Sequence, residues 1–154
     1  MAKTNSLVAK LTLDFPAISF EHGDDSFWSP ADKTVYYTQI KGGNDQKILL
    51  HELAHGILNH KQFATDILLL GMERDAWMVA KEQLGPIYAV SITDLYINEA
   101  LDSYRQWLHN RSRCPQCTMN GIQQKTGSYT CLGCMYSWRV NDARRCQLRR
   151  YALI

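Results

Sequence analysis

Four cysteines constrain the last third of this chain more tightly than any other feature constrains the rest. Cys114-Pro115-Gln116-Cys117 and Cys131-Leu132-Gly133-Cys134 are Cys-x-x-Cys pairs separated by thirteen residues, a length that suits a hairpin turning near Gly127-Ser128. Each pair curls its backbone so that amide N–H groups face the sulfurs, and Gly133 is expected to ease the turn before the last one. Four thiolates close a tetrahedron around one ion and leave no open position, so this site is expected to be structural, with zinc as its metal. A segment so short has little apolar surface of its own, which makes the metal its expected core. Disulfides and an iron site are the alternatives. Cys146 is left over and is expected to be a plain thiol.

The same region stands apart in charge. The formal net charge of +2 hides two opposite parts: residues 1–104 hold 8 Lys/Arg against 14 Asp/Glu, a net of −6, whereas residues 105–154 hold nine against Asp142 alone, a net of +8. A basic end on an acidic body is what a polyanion partner such as nucleic acid would attract. Arg111, Arg113, Lys125, Arg139, Arg144, Arg145, Arg149 and Arg150, interspersed with Tyr129, Tyr136, Trp138 and Tyr151, suit phosphate contacts and base stacking. In the alternative, the aromatics form the core of the module and the arginines dock on the acidic part.

At 154 residues, with 45% hydrophobic and 21% charged side chains, the chain has the composition of a folded globular protein of one ordinary domain, or a small domain with an appendage. No apolar run approaches the eighteen or so residues of a bilayer crossing. The start, Met1-Ala2-Lys3-Thr4-Asn5-Ser6, lacks the apolar segment and small-residue cleavage site of a secretory signal, so a reducing cytoplasm is the expected location. In such a compartment paired Cys-x-x-Cys spacings point to metal before disulfides.

Ahead of the cysteines, Leu7, Val8, Leu11 and Leu13 suit a short helix or a strand, ended by Pro16. Residues 17–20, 27–28 and 34–37 read as three short strands between Gly-Asp and Ser-Pro turn signals, and a small antiparallel sheet is expected. Gly42-Gly43-Asn44-Asp45 then offers a helix start, after which Ile48, Leu49, Leu50, Leu53, Ile57 and Leu58 recur at helical spacing to about residue 59. A second helix capped by Thr65 or Asp66 is expected to run to about Leu84, with Gly85-Pro86 as its stop and a possible break at Gly71. A third begins in Ser91-Ile92-Thr93-Asp94, which has capping-box spacing, and continues past Leu108.

The first of these helices carries His51-Glu52-Leu53-Ala54-His55. Four positions on a helix place the two imidazoles about 40° apart on one face, one turn above the other, so both can converge on one tetrahedral cation. Glu52, beside them, can take a proton from a water without ligating the metal. A third ligand must come from elsewhere. His60, nine residues beyond His51, points to the opposite face of a continuous helix, and Leu58 and Lys61 stand where a metzincin pattern has glycine and histidine. Glu73, eighteen residues after His55, can return from an antiparallel second helix and is the expected third ligand; Asp75 and His60 are the alternatives.

At these residues the chain resembles a known family. The stretch from Ile48 to His60, followed by Glu73-Arg74-Asp75-Ala76-Trp77-Met78-Val79-Ala80, is similar to the ImmA/IrrE metallopeptidases, a gluzincin type, over roughly residues 5–85. The resemblance implies zinc on His51, His55 and Glu73, with Glu52 as catalytic base. It also implies protein substrates, often DNA-bound repressors. Two positions depart from it: Ala54 replaces a common glycine, and Trp77 stands where many members have Asn or Asp four residues after the ligand glutamate, so a group orienting a ligand histidine must come from elsewhere or be absent. Residues 111–141 resemble a zinc ribbon.

The expected architecture is α+β: a small antiparallel sheet packed on zincin-type helices in residues 1–110, a zinc metallopeptidase-like domain, and a basic zinc-ribbon module in 111–154. Two zinc ions are expected, one catalytic and one structural. Tyr36, Tyr37, Tyr96 and His60 are candidate oxyanion donors, and an edge strand near residues 34–38 could present an extended substrate. The alternatives are a SprT-like protease acting on DNA-associated protein, which usually takes a third histidine, and a repressor- or nucleic-acid-binding protein that does not turn over.

Overall fold

The computed structural model describes residues 2–141 and 148–153. The chain is α+β and packs as two compact units, Met1–Lys61 with Met72–Ile97, and Gln62–Gly71 with Asn98–Ile154. The stretch 109–113 lies inside the second unit. Among the described residues no helix is long and apolar enough to cross a membrane.

In the first unit, α1 (Ala2–Asp14) buries Leu7 and Leu11, one turn apart, and leaves Leu13 exposed. A three-stranded sheet follows: β1 (Ser19–His22), β2 (Phe27–Ser29) and β3 (Thr34–Tyr37), in the order β1-β3-β2. The sheet is mixed, where a purely antiparallel one was expected. β2 and β3 are antiparallel, but β1 and β3 are parallel, Ser19 opposite Thr34 through His22 opposite Tyr37. The four residues between β1 and β2 can span about 13 Å, more than the roughly 10 Å across two strand spacings, so β3 can enter the gap between them. β3 is therefore the central strand, and the edges are β1 and β2. The expectation of a free edge near residues 34–38 is corrected accordingly.

α2 (Gly43–Ile57) starts at Gly42, where the Asp45 carboxylate accepts the N–H groups of Lys41 (2.8 Å) and Gly42 (3.1 Å). It buries Leu49, Leu50, His51, Leu53, Ala54 and His55, which spread over about two thirds of its circumference. Its end is abrupt. Asn59 adopts φ +53°, and the His60 N–H folds back to the His55 carbonyl at 2.9 Å. Asparagine tolerates this left-handed conformation better than most residues.

α3 (Asp66–Val79) runs unbroken through Gly71, and the chain then widens into a π turn over Ala80–Leu84 before α4 (Gly85–Tyr88). Gly85-Pro86 does not stop the helix as its sequence predicts. The Gly85 N–H reaches back five residues to the Ala80 carbonyl, and Pro86 falls in the first turn of α4, where a missing N–H costs nothing. The stop comes at Ala89, φ +55°, with the Val90 N–H on the Gly85 carbonyl at 2.9 Å. α5 (Asp94–Arg111) is capped by Thr93, whose hydroxyl accepts the Tyr96 N–H at 3.1 Å, two residues later than the Ser91 spacing indicates.

In the second unit, β4 (Gly121–Lys125), β5 (Ser128–Cys131), β6 (Ser137–Val140) and β7 (Arg150–Ala152) form an antiparallel sheet in chain order. The β4–β5 hairpin turns at Gly127, φ +70°, as its sequence predicts. Tyr129 and Trp138 lie opposite each other and are buried with Cys114, Cys131 and Val140, Tyr136 and Leu148 packing against them. The neighbouring register row, Lys125, Ser128, Arg139 and Tyr151, lies on the other face of the sheet.

Candidate metal centres

His51 and His55 sit one turn apart on α2, and Glu73 comes from α3; all three are buried, at 5–7% exposure. His51 Nε2 lies 2.9 Å from Glu73 Oε2, His55 Nε2 3.3 Å from Glu73 Oε1, and the two Nε2 atoms are 3.1 Å apart. One donor atom from each residue falls within 4.8 Å of the others, so the group could hold a metal ion. With metal–ligand distances of about 2.0–2.1 Å, the edges of a tetrahedron are about 3.3 Å, close to what is found here. Asp75 is exposed and is not in the group.

The electrostatics favour a cation. Burial opposes ionisation of Glu73, but the hydrogen bonds from His51 and His55 outweigh it and hold the carboxyl well below its usual range. Burial pushes His51 down to about 4 despite the Glu73 hydrogen bond, so its ring is neutral near pH 7. His55 is raised: burial works against its protonation, but Glu73, and more weakly Glu52, prevail. Two imidazole nitrogens and a carboxylate aimed at one point in a dry space repel one another unless a proton or a metal ion sits between them. This donor set fits a borderline-soft divalent cation.

The surroundings differ for the two histidines. His51 lies flat on Trp77, centroids 4.0 Å apart at 20°, and its Nδ1 is buried with no hydrogen-bond partner among the described residues. Trp77, which replaces the expected polar residue, thus orients His51 by stacking. His55 Nδ1 instead meets His60 Nδ1 at 2.8 Å. A continuous α2 would place His60 on the far side of the helix; the left-handed Asn59 ends it and returns the ring to His55. His60 is shifted down by burial and by neighbouring His55.

Glu52 faces the sheet edge, where its Oε2 accepts the N–H of Trp28 on β2 at 3.0 Å. The Trp28 indole N–H donates to the His60 carbonyl at 3.0 Å, so one residue of β2 ties both the helix carboxylate and the chain beyond the helix. Nothing in the residue order marked Trp28 for this position. Among the tyrosines, Tyr36 stacks on Phe27 (4.7 Å) and Tyr37 meets His22 (5.7 Å). Tyr96 packs edge-on against Trp77 at 5.5 Å, with Lys47 Nζ 4.3 Å over its ring.

The four cysteines also converge. Cys114 Sγ is 3.7 Å from Cys134 Sγ, and Cys117 Sγ is 3.3 Å from Cys131 Sγ, far longer than the roughly 2.05 Å of a disulfide. Metal–sulfur bonds of about 2.3 Å give tetrahedral edges of about 3.8 Å. The two turns match: Thr118 and Met135, each just after a second cysteine, have φ +67° and +62°, and return their N–H groups to the carbonyls of Cys114 and Cys131. The left-handed residues are thus these two and not Gly133, which instead leaves room for Met119, whose Sδ a Cβ there would overlap. Backbone N–H groups of Cys134 and Gly133 draw the Cys131 thiol down to about 6. At Cys117 the Met119 amide favours the thiolate, but the Cys131 sulfur and burial prevail and push it up to about 12. A cation is what allows several such sulfurs to be thiolates together.

No protein-family model, no curated protein and no solved structure matches this chain.

The basic residues of the second unit divide in two. Arg111 is 2% exposed; its guanidinium stacks on Trp107 at 4.3 Å and pairs with Asp66 at 3.6 Å, while its carbonyl accepts the Trp138 indole N–H. Asp66 also accepts the Tyr129 hydroxyl, and burial together with that bond raises the phenol pKa. Arg150 donates to the carbonyls of Asn110 and Arg113 at the end of α5. Arg111, Tyr129 and Trp138 are therefore internal, as in the alternative in which the aromatics form the core of the module, and Arg150 is half-buried with its guanidinium engaged by the main chain. Arg113, Lys125, Arg139 and Arg149 are exposed, and Arg139 lies over the Tyr151 ring at 4.6 Å. Arg144, Arg145 and Cys146 lie outside the described residues.

Proposed function

We propose that the first unit is a zinc-dependent peptidase of the ImmA/IrrE type, with His51, His55 and Glu73 as ligands and Glu52 as general base. The observation that carries this reading is the buried convergence of one carboxylate and two imidazole donors beside a glutamate on the same helix. A zinc ion held there supplies a Lewis acid for a scissile carbonyl and makes water more acidic. Glu52 takes the proton of the attacking water and returns it to the leaving amine. On this reading the Trp28 amide holds the base in place on the edge-strand side, where an extended protein substrate would lie. A DNA-bound regulator is the substrate class we favour.

The experiment is metal analysis combined with cleavage. Two zinc equivalents are expected in the wild type, one after His55→Ala and one after Cys131→Ser. Glu52→Gln should keep both and lose proteolysis. An unchanged metal content in the His55 variant refutes the site, and a Glu52→Gln protein that retains its activity points to a binding protein.

For the second unit we propose a structural zinc ribbon that contacts DNA. The observation favouring this is the sheet face carrying Lys125, Arg139 and Tyr151, on strands with no acidic residue. Arg139→Ala with Tyr151→Ala should weaken duplex binding and flatten its salt dependence; salt-insensitive absence of binding in the wild type refutes the contact.

A further inference from the structure

We infer that His60 is a positioning residue for the metal centre, fixing the tautomer and direction of His55 through the 2.8 Å contact between their Nδ1 atoms. The inference rests on reading His51, His55 and Glu73 as metal ligands. His55 turns Nε2 toward Glu73 and His51. A lone pair on Nε2 aimed at a cation requires the ring proton on Nδ1, and that proton then points at His60. His60 Nδ1 must accept it, which places the His60 proton on Nε2. The pair is thus a single directed hydrogen bond whose sense is set by the metal side.

Three features hold the acceptor in place. The left-handed Asn59 turns the chain back, the His60 N–H is fixed to the His55 carbonyl at 2.9 Å, and the His60 carbonyl takes the Trp28 indole N–H at 3.0 Å. With both main-chain groups engaged, the His60 ring rests at 61° to the His55 ring with centroids 5.0 Å apart. A histidine that merely followed a helix would need none of these constraints. Ligand histidines ordinarily direct their second nitrogen to a carboxylate, a carbonyl or water; here a second imidazole supplies the lone pair.

The test uses full-length protein and zinc alone, by chelator competition, with the four-cysteine site as internal reference. His60→Leu removes the acceptor, whereas His60→Asn returns an oxygen to the δ position. The expected result is a 10–100-fold loss of zinc affinity at the histidine site in His60→Leu, with the cysteine site unmoved and affinity restored in His60→Asn. Nitrogen–proton correlation spectra of the imidazoles should show His55 as the Nδ1–H tautomer with a slowly exchanging proton in the wild type, and fast exchange in His60→Leu. Equal affinity and slow exchange in His60→Leu would overturn the inference, as would a His60→Asn protein as impaired as His60→Leu. A wild type that binds zinc at the cysteines alone overturns the ligand reading itself, a result distinct from either.

Discussion

Gly56 of α2 packs directly against Trp28 of β2, and a single methyl group there tests the packing that holds Glu52. A Cβ at this position would stand 3.0 Å from Trp28 Cζ3, 3.2 Å from Trp28 Cε3 and 3.1 Å from Ile18 Cδ1. The indole cannot move aside freely, because Trp28 is tied by its amide to Glu52 and by its ring N–H to His60. Two effects oppose each other in Gly56→Ala. Replacing a helical glycine gains up to about 1 kcal/mol, whereas crowding a packed contact costs about 1–3 kcal/mol. Crowding should win by about 1 kcal/mol, which lowers the melting temperature by about 2–4 °C in a chain of this size. In a Trp28→Phe background the six-membered part of the indole is gone, and the same substitution should become neutral or stabilising, a coupling of about 1–2 kcal/mol. Gly71, with nothing within 4 Å of its Cβ position, serves as the control: Gly71→Ala should stabilise by up to about 1 kcal/mol. Urea unfolding of the metal-loaded protein, followed by circular dichroism, reads all of these. A Gly56→Ala protein stabilised equally with and without the Trp28 indole would refute the reasoning.

Acidification should release the histidine-site metal in two stages. With His55 raised above its ordinary value and His51 lowered to about 4, one proton on His55 competes with the metal first and a second, on His51, only toward about pH 4, so affinity should fall about tenfold per pH unit in the upper stage; a fall of a hundredfold per unit there would contradict the asymmetry. Arg111→Met leaves the Asp66 carboxylate without its buried cation and should cost the second unit about 3–5 kcal/mol, largely recovered in Arg111→Met with Asp66→Asn; a change near zero in urea unfolding would show the pair to be idle.

What could be read from the chain was what depends on fixed local spacing. His51 and His55 share a face because a helix repeats every 3.6 residues, and the four cysteines converge because two short turns and one hairpin leave them little else to do. Glu73 was legible from the length of chain needed to reverse direction. The rest depends either on pairing with residues distant in sequence or on a single backbone irregularity that no periodicity marks. Whether residues 34–37 lie at the edge or the centre of a sheet depends on where β1 stops, and no periodicity encodes that. Pro86 reads as a helix stop unless the chain first widens by one residue. One left-handed residue, Asn59, turns His60 back, and Arg111 and Tyr129 are drawn inside by Asp66, far away in sequence, as Trp138 is by the Arg111 carbonyl.

His51 and His55 are held by different means, and this sets how a metal site built on them would adapt to ions of different radius. A hydrogen bond at Nδ1 aims the His55 ring along one line. The indole under His51 fixes only its tilt and leaves it able to pivot within its own plane. A larger cation such as cadmium would therefore be accommodated by a pivot of the His51 ring over the indole while His55 kept its bearing.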